Sequence, residues 1–333
     1  MKAKIVLSFI LAACIISPQL ASAADAEKPA PAPSERSKML IGAPVNVNLQ
    51  GSATLPKGVL LTVLNATFSD KSSYHGGAHL DPTGPTPANQ YNGPDVFSQV
   101  WLLKLRYGVT DAFEIWSTTP YLNNHRDWPA GTTLPAQVGS ERIHGLMDLF
   151  AGIAYTWMNE RWGDSFSFSS SAAIMLPTAS SKTYSPPGAG TSGLRLQTGI
   201  GKWLTKDLKA ETEMVWVTRF NQSGNRAPGA PSTAPSIRLG DQFQWNGQVR
   251  YFFNNFDVAV ETTFVQDMAA ELTTGRSMAN KSKVWVIGPS FNVPIDPLRA
   301  WFGLGIFFPI MRDYQSPTKV EDYRLELKFG KLW

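Results

Sequence analysis

Near its C-terminus the chain alternates with a period of two. Tyr323, Leu325, Leu327, Phe329, Lys331 and Trp333 are interleaved with Asp322, Arg324, Glu326, Lys328, Gly330 and Leu332. That spacing places the two sets on opposite faces of an extended strand, one mostly apolar and one charged. The charged face needs water or partners, because an unpaired charge set against hydrocarbon is costly. The strand runs to a terminal aromatic with no turn after it. A soluble sheet seldom finishes on an exposed Trp, so the pattern predicts a strand that closes a sheet upon its first member.

The rest of the chain repeats the motif. Strand-like runs are predicted at 58–68, 95–107, 112–119, 144–158, 165–176, 194–204, 208–220, 241–252, 256–266, 283–293, 298–310 and from 319 onward. Short connections (108–111, 159–164, 205–207, 254–255, 294–297) alternate with long polar ones (69–94, 120–142, 177–193, 221–240, 267–282, 311–318). Short turns at one end and long loops at the other, around about twelve strands, define an all-β fold: a closed antiparallel transmembrane β-barrel. Runs of this length suit strands that cross a bilayer at a tilt. No apolar stretch after the N-terminus is long enough for a membrane helix, and only closure pairs every backbone group in lipid. The terminal strand resembles the aromatic-ended assembly signal of bacterial outer-membrane proteins. It implies outer-membrane lipids and the barrel-assembly machinery as partners.

Where the alternation is strong, it sorts the faces. In 208–220, Ala210, Thr212, Met214, Trp216, Thr218 and Phe220 oppose Lys209, Glu211, Glu213 and Arg219. In 241–252, Phe243, Trp245, Val249 and Tyr251 oppose Gln242, Gln244, Asn246, Gln248 and Arg250. Charge facing lipid at mid-bilayer costs several kcal/mol, so the ionic sets are expected to line the lumen. The candidate selectivity residues are Lys104, Arg106, Glu114, Arg195, Glu211, Glu213, Arg250, Asp257, Glu261, Arg324, Glu326 and Lys328. Eight strands leave a lumen filled by side chains and sixteen leave an aqueous channel, so twelve predict a narrow bore with charges paired across it. In 298–310, Gly303 and Gly305 fall on the inner phase beside Trp301 and Phe307, predicting a thin, partly apolar wall there. Trp116 is inward by the same phase. Most other tryptophans, near strand ends or on outward faces, read as an interface girdle.

Residues 1–23 read as a secretory signal, with Lys2 and Lys4, an apolar run from Ile5 to Ile16, and Ala21-Ser22-Ala23 as cleavage site. Leu11-Ala12-Ala13-Cys14 also resembles a lipobox, but the apolar run continues past Cys14. Cleavage at Ala23 removes the only cysteine and takes Lys+Arg from 30 to 28 against 26 acids, so net charge falls from +4 to +2. No basic run marks a nucleic-acid partner. Residues 24–57, rich in proline at first, read as a periplasmic arm in which Leu40 to Gln50 either forms a short extra strand or tucks into the lumen as a partial plug, and 58–333 as the barrel.

Chemistry-bearing motifs are few. Gly188, Gly190 and Gly193 spell G-x-G-x-x-G but precede a strand, so a loop is the better reading than a dinucleotide site. His75 and His79 lack a companion set of ligands, and neither metal nor cofactor is expected. A lipid hydrolase would need His144 beside Ser167, Ser169 or Ser171 on the lipid-facing wall. No G-x-S-x-G or His-x-Ser arrangement supports it, and simple packing of these serines is preferred.

Two segments carry a family resemblance: Thr54-Leu55-Pro56-Lys57-Gly58 entering the first strand, and Leu105-Arg106-Tyr107-Gly108-Val109-Thr110-Asp111-Ala112-Phe113-Glu114-Ile115. The chain resembles the outer-membrane barrel family named for the meta-pathway of phenol degradation. The resemblance implies a transporter of the outer membrane associated with aromatic hydrocarbons, and supplies no catalytic residues. The function expected is passive diffusion of small, aromatic or hydrophobic solutes through a monomer. A barrel-type lipid hydrolase and a structural or adhesive barrel are the alternatives.

Overall fold

The computed structural model describes residues 51–71, 73–75, 95–128, 139–179, 191–220, 237–238, 240–253, 255–269, 271–272, 281–295, 298–314 and 318–333. The expected signal, the first part of the arm, His79, Gly188 and Gly190 lie outside them. Twelve strands make the wall: β1 Leu60–Lys71, β2 Asp95–Gly108, β3 Phe113–Trp128, β4 as Gly139–Leu146 continued by Leu149–Met158, β5 Ser167–Leu176, β6 Gly193–Trp203, β7 Leu208–Arg219, β8 Gln242–Phe252, β9 Asp257–Asp267, β10 Ser282–Ile295, β11 Ala300–Tyr314 and β12 Tyr323–Leu332. Each pairs antiparallel with the next, and β12 pairs with β1, so the sheet closes. Val63 faces Gly330 on one side and Lys104 on the other. Short ribbons, Ser73–His75 with Thr318–Val320 and Ile237–Arg238 with Glu271–Leu272, stand at the long-loop end.

The tight turns repeat one device. Thr110 Oγ1 accepts from the N–H groups of Ala112 and Phe113, and Thr205 Oγ1 accepts from those of Asp207 and Leu208. A threonine hydroxyl thus satisfies backbone donors that the ladder leaves behind at the bend. Between β4 and β5 the chain makes a single 3₁₀ turn, Glu160–Trp162, capped by Asn159 and closed by Gly163 at φ 93°.

Two expected boundaries move. β3 continues to Trp128 rather than ending near Thr119, pairing with β2 as far as Asp95 opposite Asp127. β4 begins at Gly139, within the predicted loop. Beyond the bilayer both faces of a hairpin meet water, so the period-two signal fades while the ladder persists. β4 breaks at Met147 and Asp148, where Pro120 stands in β3 without an N–H to donate. Met147 N–H donates to the Pro120 carbonyl at 2.9 Å, while Thr178 Oγ1 bonds Met147 O and Leu149 N.

The outer surface is apolar. Ile153, Ile174, Met214, Val260 and Phe308 are all about half exposed, far above what a water-soluble core strand shows. Two aromatic belts border this band. Trp216, Phe243, Trp245, Phe264 and Trp285 form a series of tilted and edge-to-face contacts toward the long loops. Tyr251, Phe253, Phe256 and Phe291 form one at the short turns, with Phe253 stacked on Phe256 at 4.6 Å. Phe243 and Tyr251 lie eight residues apart on β8. At ~3.4 Å per residue and a tilt near 40°, that is about 20 Å along the barrel axis, close to the height of a lipid-facing band.

Candidate functional site: the barrel interior

All twelve candidate charges point inward, and eleven gather into two networks. The first spans β8, β9 and β12. Arg250 Nη1 donates to Asp257 Oδ1 at 2.9 Å, and its Nη2 lies 3.4 Å from Glu261 Oε1. Lys328 Nζ sits 3.2 Å from Glu261 Oε2 and 3.5 Å from Glu326. Ser290 donates to Glu261, and Asn292 Nδ2 donates to Asp257 at 2.7 Å. The glycines predicted on β11 make room: a Cβ at Gly303 would meet the side chains of Asn292 and Lys328. Trp301 and Phe307 are buried here, with Lys328 over the Phe307 ring at 5.8 Å, as the inner phase of β11 predicts.

The second network spans β2, β3, β6 and β7. Arg106 holds Glu114 in a two-pronged pair, Nε to Oε1 at 2.7 Å and Nη2 to Oε2 at 2.8 Å. Lys209 Nζ and the Ser52 hydroxyl both donate to Glu211 Oε1, while Gln248 donates to its other oxygen. Arg195 lies over the rings of Trp116 and Phe150, and Lys104 over Trp116, at 5.6 to 5.9 Å. Trp116 donates its indole N–H to Ser171. Glu213 accepts from the backbone of Gly51 at 3.2 Å. Arg324 is brought to neither network; at the long-loop end its Nε lies 3.1 Å from Glu321.

The interior differs from the expected bore in one respect. Glu114 and Glu261 are fully buried, and Arg250 and Lys328 are 1% exposed. Side chains lining a water-filled channel would be wetted by it; these are packed against one another. Most of these pairs join neighbouring strands or near residues, whereas Lys328 and Glu261 meet from strands that are not adjacent.

Sequence reasoning placed the charges, with Lys209 and Gln248 on the same inward faces, but missed Ser290, Asn292 and the backbone of 51–55, which also satisfy them. Ser290 and Asn292 share an inward phase on β10, which was the available signal. The serines proposed for a hydrolase are engaged otherwise. Ser169 donates to the Gly51 carbonyl, Ser171 accepts from Trp116, and Ser167 accepts from the Glu160 N–H. They face the lumen, not lipid, because their strand presents Ile174 outward. His144 instead lies 3.3 Å from the Tyr121 hydroxyl on the outer hairpin. Among the described residues no cluster of His, Cys, Asp and Glu has the makings of a metal site.

A closed twelve-stranded wall, apolar without and ionic within, is an outer-membrane β-barrel. More narrowly, the chain belongs to the family described as "Putative MetA-pathway of phenol degradation", whose model matches residues 86–308. Among solved structures it is similar to the COG4313 outer membrane channel from Pseudomonas putida F1, at 14% identity and a TM-score of 0.66 over 86% of this chain and 100% of that one. That likeness shows the fold. A more distant likeness, to the translocator domain of the autotransporter NalP from Neisseria meningitidis, has 8% identity and a TM-score of 0.45, covering 83% and 88%. No curated protein matches the sequence.

Proposed function

We propose that the protein is a channel that lets small solutes diffuse across the outer membrane, with aromatic or hydrophobic compounds among them. The observation that carries this is the ionic interior: charged candidates on seven strands, β2, β3, β6, β7, β8, β9 and β12, face inward. A barrel that served only as an anchor would be more stable with an apolar filling, since buried ion pairs recover little beyond their desolvation cost. Retaining them is reasonable where the interior must present fixed charge to what passes. Membership of a family tied to phenol degradation directs the solute class toward aromatics, and the similar Pseudomonas protein is itself described as an outer membrane channel.

In this reading the chain is exported by its N-terminal signal, assembled through β12, and works as a monomer without cofactor, metal or catalytic step. Lys104, Arg106, Glu114, Arg195, Glu211 and Glu213 are the residues expected to weigh most on selectivity. Planar-bilayer recording and uptake of phenol by liposomes test it. Conductance steps or accelerated uptake support a channel; silence in both rejects it. Cleavage of phospholipid by the purified barrel would instead favour the hydrolase.

A further inference from the structure

The ionic interior is not uniform. On β2 and β3 the inward phase carries Arg106 opposite Trp116 and Lys104 opposite Thr118 near the short turns. The next two inward pairs, toward the long loops, are Leu102 with Pro120 and Val100 with Leu122. Beside them Phe150 of β4 stands opposite Thr118 on one side and Met175 of β5 on the other. Pro120 and Met175 are buried, and the other four are half-buried. Six apolar side chains thus share one side of a polar lumen, on the long-loop side of Lys104. A contiguous apolar surface set in polar surroundings, with a few charged groups at its edge, has the make-up of a ligand site.

At that edge the wall lets two cations meet one ring. The row Trp116, Gly152, Ala173, Arg195 runs across four neighbouring strands. Three ladder steps, about 14 Å, separate the backbones of Trp116 and Arg195. Yet the Arg195 guanidinium lies 5.8 Å from the Trp116 ring centre and 5.6 Å from that of Phe150. Both side chains therefore lean over Gly152 and Ala173, where small residues leave the space. A Cβ at Gly152 would come 2.5 Å from that of Ala173. Lys104 Nζ reaches the same indole at 5.9 Å, and Ser171 fixes the ring through its N–H at 2.9 Å. Charge here does not balance. Arg106 is matched by Glu114 and Lys209 by Glu211, whereas Lys104 and Arg195 both face Glu213. Two cations share one carboxylate.

We propose that this is a subsite for small aromatic carboxylates. The ring of the solute lies along Leu102, Leu122 and Phe150, and its carboxylate meets Arg195 and Lys104 beside Trp116. A monoanion matches the surplus of one positive charge, and a planar guanidinium matches the paired oxygens of a carboxylate. A neutral hydrocarbon would engage the apolar side alone, and a hydrophilic anion the ionic side alone. The proposal rests on the channel reading above and narrows its solute class.

Benzoate, acetate and benzyl alcohol separate the two halves of the site. In planar bilayers carrying potassium chloride current, benzoate should block the native channel at concentrations about tenfold below those needed of acetate or benzyl alcohol, because it alone engages both sides. Arg195→Gln should weaken that block about tenfold, through loss of a charge-assisted pair. Leu102→Asn, which leaves every charge in place, should weaken it severalfold by wetting the apolar side. Calorimetric titration of the three solutes into the barrel in lipid nanodiscs reads binding without requiring flow. Benzoate no better than acetate, or benzoate binding unaltered in both variants, overturns the subsite, and a potassium chloride current then leaves the channel standing. Absence of current from every form, each with the far-UV signature of a folded barrel, overturns the channel, and the calorimetry decides the subsite by itself.

Discussion

Lys328 Nζ lies 3.2 Å from Glu261 Oε2, although β10 and β11 stand between the strands that carry them. Both side chains are buried, so neither can fall back on water if its partner is lost. Breaking a buried pair by removing one member typically costs about 3–5 kcal/mol. Lys328→Met and Glu261→Gln should each lower stability by that order, the second also weakening the hold on Arg250. The double variant should be less damaged than the sum of the two. Urea unfolding of the barrel in lipid vesicles, arranged as a double-mutant cycle, measures the coupling; additive losses would show that the pair does not interact.

The lipid face has its own prediction. Met214 is 55% exposed near the middle of β7, and its neighbour Glu213 is buried inside. Met214→Arg should cost about 2–4 kcal/mol, the depth-dependent penalty for a cation at mid-bilayer. Met214→Leu should be close to neutral. The same vesicle titration reads both, and equal stability of the Arg and Leu variants would contradict the assignment of this face to hydrocarbon.

Fixed charge in the lumen should bias which ions pass. At about 10 Å and an effective dielectric near 20, one charge is worth roughly 1.7 kcal/mol, less with counter-ion screening. Glu213→Gln should shift the permeability ratio severalfold toward anions, and Lys104→Met toward cations. Reversal potentials under a salt gradient give the sign directly. Shifts of the same sign in both variants would remove these residues from the conduction path.

At the seam, Trp333 donates its indole N–H to Thr62 Oγ1 at 3.2 Å, and Lys331 lies 3.7 Å above its ring. Trp333→Ala removes both contacts and the terminal aromatic. A stability loss of about 1–2 kcal/mol is expected from the cation–π pair and hydrogen bond. Assembly in cells should suffer more than refolding in vesicles if the terminal aromatic is read by the assembly machinery. Pulse-chase of folded barrel in the membrane compares the two.

How much of this was legible beforehand depends on the range of the interaction. In β7, β8, β9 and β12 the alternation is written residue by residue, because lipid on one side and a polar lumen on the other act on each position separately. Strand number and the inward set follow from it, as does Gly303 with Gly305 as a thin place in the wall. The threonine turns at Thr110 and Thr205 are equally local. The polar hairpin from Pro120 to Leu146 escaped because water on both faces leaves no period to read.

Contacts across the lumen obey no local rule. That Lys328 finds Glu261, that Glu211 binds Ser52 from 159 positions away, and that Gly199 leaves room for the backbone of Gly51 all depend on the shear and closure of the whole sheet. An alternating strand states which way its side chains point. Only the closed barrel brings those side chains within reach of one another, and only there do the ionic faces of separate strands become packed against each other.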